Sequence, residues 1–301
     1  MRERDISRLS ISCHAKLSDV CRRNTPKNSM KIIDISLRTL AETCVLGPRL
    51  VLPLRDFLGN LTGKNYNHAE FAPAPPFNGT YGETTNLRGG KPFVYCGAGL
   101  RKLDFPLKTL AFACDVRCYV PVYLTDAARD RRKPDVTLDR LITVEPKRDR
   151  GHYHLHAIHT RRLAPWKVQK LAKLGVSCER LDLSVFSPTA YENAMKFYVG
   201  LRLSNIELLR VQAAGIAAIL RRSSETPLKK RLERLLMAME ARPDLRATFQ
   251  CVRCDLDDLY RWTYAAIVLG YLPVDCDYSV APHLPIRLLS SRRRNSHVST
   301  G

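Results

Sequence analysis

Residues 141 to 159 read Leu-Ile-Thr-Val-Glu-Pro-Lys-Arg-Asp-Arg-Gly-His-Tyr-His-Leu-His-Ala-Ile-His, an apolar run, a charged stretch from Pro146 to Gly151, and a second, alternating run. That pattern limits the segment to a β-hairpin, with Leu141–Val144 as one strand, the charged stretch as the turn and Tyr153–Ile158 as the returning strand. Side chains alternate across a strand, so His152, His154 and His156 are expected on one face and Tyr153, Leu155 and Ala157 on the other. Four of the chain's eight histidines fall within eight residues here. Two imidazoles two residues apart on a strand can hold one divalent ion. Glu145, from the paired strand, would add a hard carboxylate ligand suited to magnesium or manganese. The plainer reading is a set of half-exposed histidines on a sheet, or a zinc site without catalytic duty.

The 301 residues carry 49 Lys and Arg against 29 Asp and Glu, a formal charge of +20. So large an excess repels itself unless a polyanion offsets it, and nucleic acid is the first candidate partner. The charge is dense around the histidines: Lys147, Arg148 and Arg150 in the turn, Arg161 and Arg162 just beyond, then Lys167, Lys170 and Lys173. Lys147, Arg148, Arg150, Arg161 and Arg162 are the expected DNA contacts. No apolar run approaches the roughly 20 residues needed to span a bilayer, and Met-Arg-Glu-Arg-Asp at the start has no apolar core behind it. The expectation is an intracellular, cytoplasmic protein without a membrane partner, nuclear if its host is eukaryotic. Ten cysteines in such a chain read as free thiols or a metal site. Only Cys251 and Cys254 form a CxxC, with Cys276 downstream, so a zinc ribbon is incomplete.

Along the chain, residues 1–70 offer no motif, only apolar stretches such as Met30–Ile35 and Leu50–Leu54. Proline and glycine punctuate residues 71–90, which read as a linker, so a domain is expected from 91 to 205. Within it strands are expected at Phe93–Cys96, Tyr119–Thr125 and Arg180–Phe186, and helices at about Pro106–Cys114 and Pro165–Leu174. Ser187 and Pro188 make an N-cap and first-turn pair for a helix running to about Leu201. Further helices follow at 205–222, 227–242 and 255–271, so 206–275 reads as a helical region. The last stretch, 276–301, reads as a basic, disordered tail. The fold class is therefore α+β, an antiparallel sheet with flanking helices followed by a helical C-terminal region.

On the Ser187–Leu201 helix, Tyr191 and Tyr198 are seven apart and share a face, with Arg202 one turn beyond. Near a metal-polarised phosphodiester and a basic side chain, a tyrosine can attack phosphorus and remain attached to the DNA. Tyrosines at this spacing also serve as ordinary core.

Gly151-His152-Tyr153-His154-Leu155-His156, followed some forty residues later by Ala194-Met195-Lys196-Phe197-Tyr198, resembles the HUH endonucleases, and among them the rolling-circle replication initiators of plasmids, phages and small DNA viruses. Their signature is His-hydrophobic-His on a central strand, then a helix carrying Tyr-x-x-Lys. The resemblance covers residues 91 to 205 and implies a HUH nuclease core of ferredoxin-like kind. It implies that His154, His156 and Glu145 hold manganese or magnesium while Tyr198 cleaves a single-stranded or hairpin DNA origin through a 5′-phosphotyrosine. Leu201 stands where the family places lysine, with Arg202 and Lys196 nearby. Tyr191 is the rival nucleophile, and His152 with His154 the rival metal pair. No Gly-x-x-x-x-Gly-Lys-[Ser/Thr] occurs, so unwinding and synthesis would fall to a host helicase and polymerase. The competing expectations are a non-catalytic, basic nucleic-acid-binding protein and a different metal-dependent hydrolase.

Overall fold

A computed structural model describes residues 37–75, 79–222 and 224–289. Its elements run α1 (Leu37–Thr43), β1 (Tyr81–Thr84), β2 (Phe93–Cys96), α2 (Ala98–Lys108), β3 (Ala113–Val122), α3 (Asp126–Asp130) and β4 (Val136–Val144). Then come β5 (His154–His159), α4 (Pro165–Lys173), β6 (Val176–Arg180), α5 (Pro188–Leu201), α6 (Arg210–Leu220), α7 (Leu228–Ala241), α8 (Pro243–Thr248) and α9 (Leu256–Val268). The class is α+β.

The hairpin forms as its alternation requires, β4 pairing antiparallel with β5 so that Ile142 faces His156 and Val144 faces His154. A four-stranded sheet follows in the order β3-β4-β5-β6, and β1 and β2 form a separate antiparallel pair. The sheet is mixed rather than antiparallel throughout, because β6 runs parallel to β5. Its cause is α4: the helix carries the chain back along the sheet, and Gly175, at φ 81°, ends it and returns the chain to the sheet at once. The expected strand at 180–186 is accordingly replaced by one at 176–180.

One face of the sheet packs Val116, Ile142, Val144 and Ile158 against Leu100, Leu103 and Leu107 of α2 and Leu37 and Leu40 of α1. Those three leucines of α2, at i, i+3 and i+7, explain why the helix spans 98–108 and not 106–114; Pro106 lies inside it, near its end. The other face packs Leu141, Leu155 and Ala157 against Leu171 of α4 and Tyr66. One buried arginine fastens each covering. Arg140 binds Asp104 of α2 through two contacts of 2.6 and 2.9 Å. Arg117 reaches Asp56 at 2.6 Å and the Leu61 carbonyl at 2.9 Å.

Residues 37–72, expected as part of a separate region, therefore belong to the sheet's own covering. Residues 81–84, expected within a linker, form β1. The helical region is not separate either, since Leu87, Phe105, Phe197 and Tyr198 share one core with α6, α7 and α9. Val280 and Ile286 join that core, so the described residues after 276 are packed chain. Met30–Ile35 and the basic run Ser290–Asn295 lie outside the described residues.

Candidate functional site

β5 is an interior strand, and its period of two places His154 and His156 on the face that carries Ile158. The parallel register sets Ser177 of β6 beside His156 and Glu179 beside Ile158, on that same face. His156 is 1 % exposed. Its Nδ1 hydrogen-bonds Ser177 Oγ at 2.8 Å. Its Nε2 lies 3.5 Å from Glu179 Oε1 without hydrogen-bond geometry, which leaves a buried polar atom unsatisfied. Glu179 Oε2 in turn accepts the Leu37 amide at 3.1 Å, so α1 sits over this end of the face.

The other expected ligands go elsewhere. His152 precedes β5 in the turn, is exposed, and pairs through Nδ1 with Asp149 at 2.9 Å, so it does not share the strand face. His154 is half-buried, its Nε2 3.2 Å from the other oxygen of Asp149. Glu145 is buried, but its carboxylate accepts the Gly151 amide at 3.1 Å and closes the turn. Among the described residues no three His, Cys, Asp or Glu side chains converge where they could share an ion. Glu145, His154 and His156 are thus each given a separate local partner in this arrangement.

Tyr198 is core. Its ring meets Phe105 edge-on at 5.0 Å, and its hydroxyl accepts the Thr85 amide at 3.0 Å. Where Tyr-x-x-Lys would supply a lysine, Leu201 is buried, and Lys108 of α2 instead sets its ammonium 5.0 Å from the Tyr198 ring centre. Burial pushes the Lys108 pKa down to about 8. Tyr191 is half-buried against the helical core, and its hydroxyl makes no hydrogen bond among the described residues. Lys196 is exposed and donates to Ser279 Oγ at 3.3 Å; Arg202 is exposed at the end of α5. Among the described residues no hydrogen bond, ion pair or ring contact joins these α5 residues to β5.

The basic residues divide. Lys147 donates to the Glu42 carbonyl, tying the turn to α1. Arg148 and Arg150 in the turn, and Arg161 and Arg162 after β5, are exposed and make no ion pair among the described residues. They flank β5 at its two ends, a strand of six residues and so about 20 Å long.

Ser177 and Glu179 escape a reading that expects the strand at 180–186, since they lie on the strand at 176–180. The alternation Val176-Ser177-Cys178-Glu179, directly after the glycine that ends α4, is the signal that marks them. Among the described residues no single helix is long and apolar enough to cross a membrane. A scan of protein-family models matches none to this chain, and a search of curated proteins finds no similar sequence.

Proposed function

We propose that the chain processes single-stranded DNA in the manner of an HUH rolling-circle initiator, nicking and rejoining a strand through a tyrosine. One arrangement carries the reading: interior strand β5 presents His154 and His156 on the face shared with Ser177 and Glu179, and β6 leads on to tyrosine-bearing α5. The four unpaired arginines at the two ends of β5 would take backbone phosphates and position the strand. In the nicking step the phenol oxygen bonds to phosphorus as it loses its proton, and the bond to the 3′ oxygen breaks; that oxygen leaves protonated as a primer end. Rejoining reverses the exchange. Tyr191 is the better nucleophile of the two, since the Tyr198 hydroxyl is committed to Thr85 and its ring is buried. Strand separation and synthesis then belong to a host helicase and polymerase, and the cell interior is the compartment.

A second reading, a basic nucleic-acid-binding protein without catalysis, is favoured by the same commitments of Tyr198 and Glu145 to local backbone amides. Labelled single-stranded DNA pools, incubated with the protein in manganese or in chelator and run on denaturing gels, separate the two. A protein-linked band that Tyr191→Phe removes and Tyr198→Phe keeps supports nicking by Tyr191, and its loss in His156→Gln supports the histidine face. Binding with no adduct in any condition leaves the second reading standing.

A further inference from the structure

The chain has two tryptophans. Trp262 is 5 % exposed and stacked on Phe249 with ring centres 5.6 Å apart, an ordinary core residue. Trp166, in the first turn of α4, is 45 % exposed. It adds little to the core, where Leu171 is the buried residue of that helix. Two lysines hold it instead. The ammonium of Lys167 lies 5.5 Å from the indole centre and that of Lys170 5.7 Å. Both ammoniums are anchored at the same time, Lys167 on the Asp135 carbonyl and Lys170 on the Leu124 carbonyl. The ring is therefore exposed yet braced by side chains whose own positions are fixed.

Further basic residues lie close along the chain. Arg161 and Arg162 lie in the loop that joins β5 to α4, and exposed Lys133 stands two residues before the carbonyl that holds Lys167. An exposed indole with two ammoniums against it suits a ligand that offers a flat π-face and phosphates together. A base in a duplex hides its faces in the stack, whereas a base in a single strand presents them.

We propose that Trp166 is a stacking platform for one base of single-stranded nucleic acid, with Lys167, Lys170, Arg161 and Arg162 taking the adjoining phosphates. The identity of the strand as DNA rests on the function proposed above; the platform itself does not require cleavage.

The test is a titration of the full-length protein with an eight-nucleotide oligo(dT), read by tryptophan fluorescence and, on the same samples, by denaturing gel. Because Trp262 is buried, quenching by the oligonucleotide is expected to come from Trp166. Trp166→Leu, a surface change, should abolish the quench and weaken single-strand binding roughly five- to 150-fold, with Trp166→Phe in between. A blunt duplex of the same length should quench little. Wild-type affinity in Trp166→Leu overturns the platform while leaving DNA processing intact. Quenching by oligo(dT), together with no protein-linked band from the single-stranded DNA pools, keeps the platform and removes the nicking reading. Absence of binding sinks both. Quenching that grows with protein concentration alone would mean that a second copy of the chain covers Trp166, and it too overturns the proposal.

Discussion

His68 shows how a single buried group sets a pH limit on this protein. Its Nδ1 accepts the Cys118 amide at 3.2 Å, and its ring lies between Tyr66 and Phe93. Burial, with Arg140, Lys108 and Arg117 nearby, pushes its pKa down to about 3 from 6.5. Below pH 6.5 the unfolded chain takes up a proton here that the folded chain refuses until about pH 3. Stability is thus whole above pH 7 and falls as pH falls, by about 1.4 kcal/mol per unit, or about 3 kcal/mol by pH 4. His68→Gln, which cannot titrate, should flatten that part of the acid limb in urea unfolding at pH 7 and 4. Equal slopes in variant and wild type would show that His68 is not the group responsible. A different penalty governs Arg140, whose guanidinium is wholly buried on Asp104. Asp104→Ala strands that charge and should cost about 3–5 kcal/mol in denaturant unfolding, whereas Arg140→Met combined with Asp104→Leu should recover most of it. Neither residue was legible as special in the sequence, because both partnerships join segments tens of residues apart.

At the scale of elements, the helix that covers the histidine face is the informative one. α1 places Leu37 and Leu40 in the core over Val144 and Ile158 and gives its first amide to Glu179. Leu40→Ala removes about 2–5 kcal/mol of that packing and should loosen α1 locally. His156 should then exchange its ring C–H for deuterium faster, by mass spectrometry, while His68, buried beneath other elements, keeps its rate. An unchanged His156 would show that α1 is not its cover. The elements that could be read from sequence are those with local signals. The Ser187 side chain does accept the Ala190 amide with Pro188 in the first turn of α5, and Asp255 and Asp258 make the capping box that starts α9. The hairpin was legible for the same reason. β6 was not, since its direction is decided by how α4 packs Leu171 against Val176 and Leu155, and β1 was not, since its four residues gain their structure only by pairing with β2.

At the scale of the whole molecule, the described residues form three apolar cores, joined because Phe105 of α2 and Phe197 of α5 enter the helical core while α2 also covers the sheet. Composition pointed to a linker at 71–90 because it counts prolines and glycines, and it cannot see that the flanking chain is held down by Arg117 and Asp56. What composition did carry is the charge of +20, and its distribution yields the prediction that belongs to this scale. If single-stranded DNA lies along the two ends of β5, each phosphate contact contributes about 0.7 to the slope of log affinity against log salt. Arg161→Gln with Arg162→Gln should therefore flatten that slope by about 1.4 in anisotropy titrations between 50 and 300 mM salt, roughly two contacts' worth. Arg242→Gln, whose guanidinium already pairs with Asp244 at 2.6 Å far along the chain in α8's first turn, should leave it unchanged. Equal loss from both substitutions would mean that the DNA feels only the net charge of the protein, and that the ends of β5 are no footprint at all.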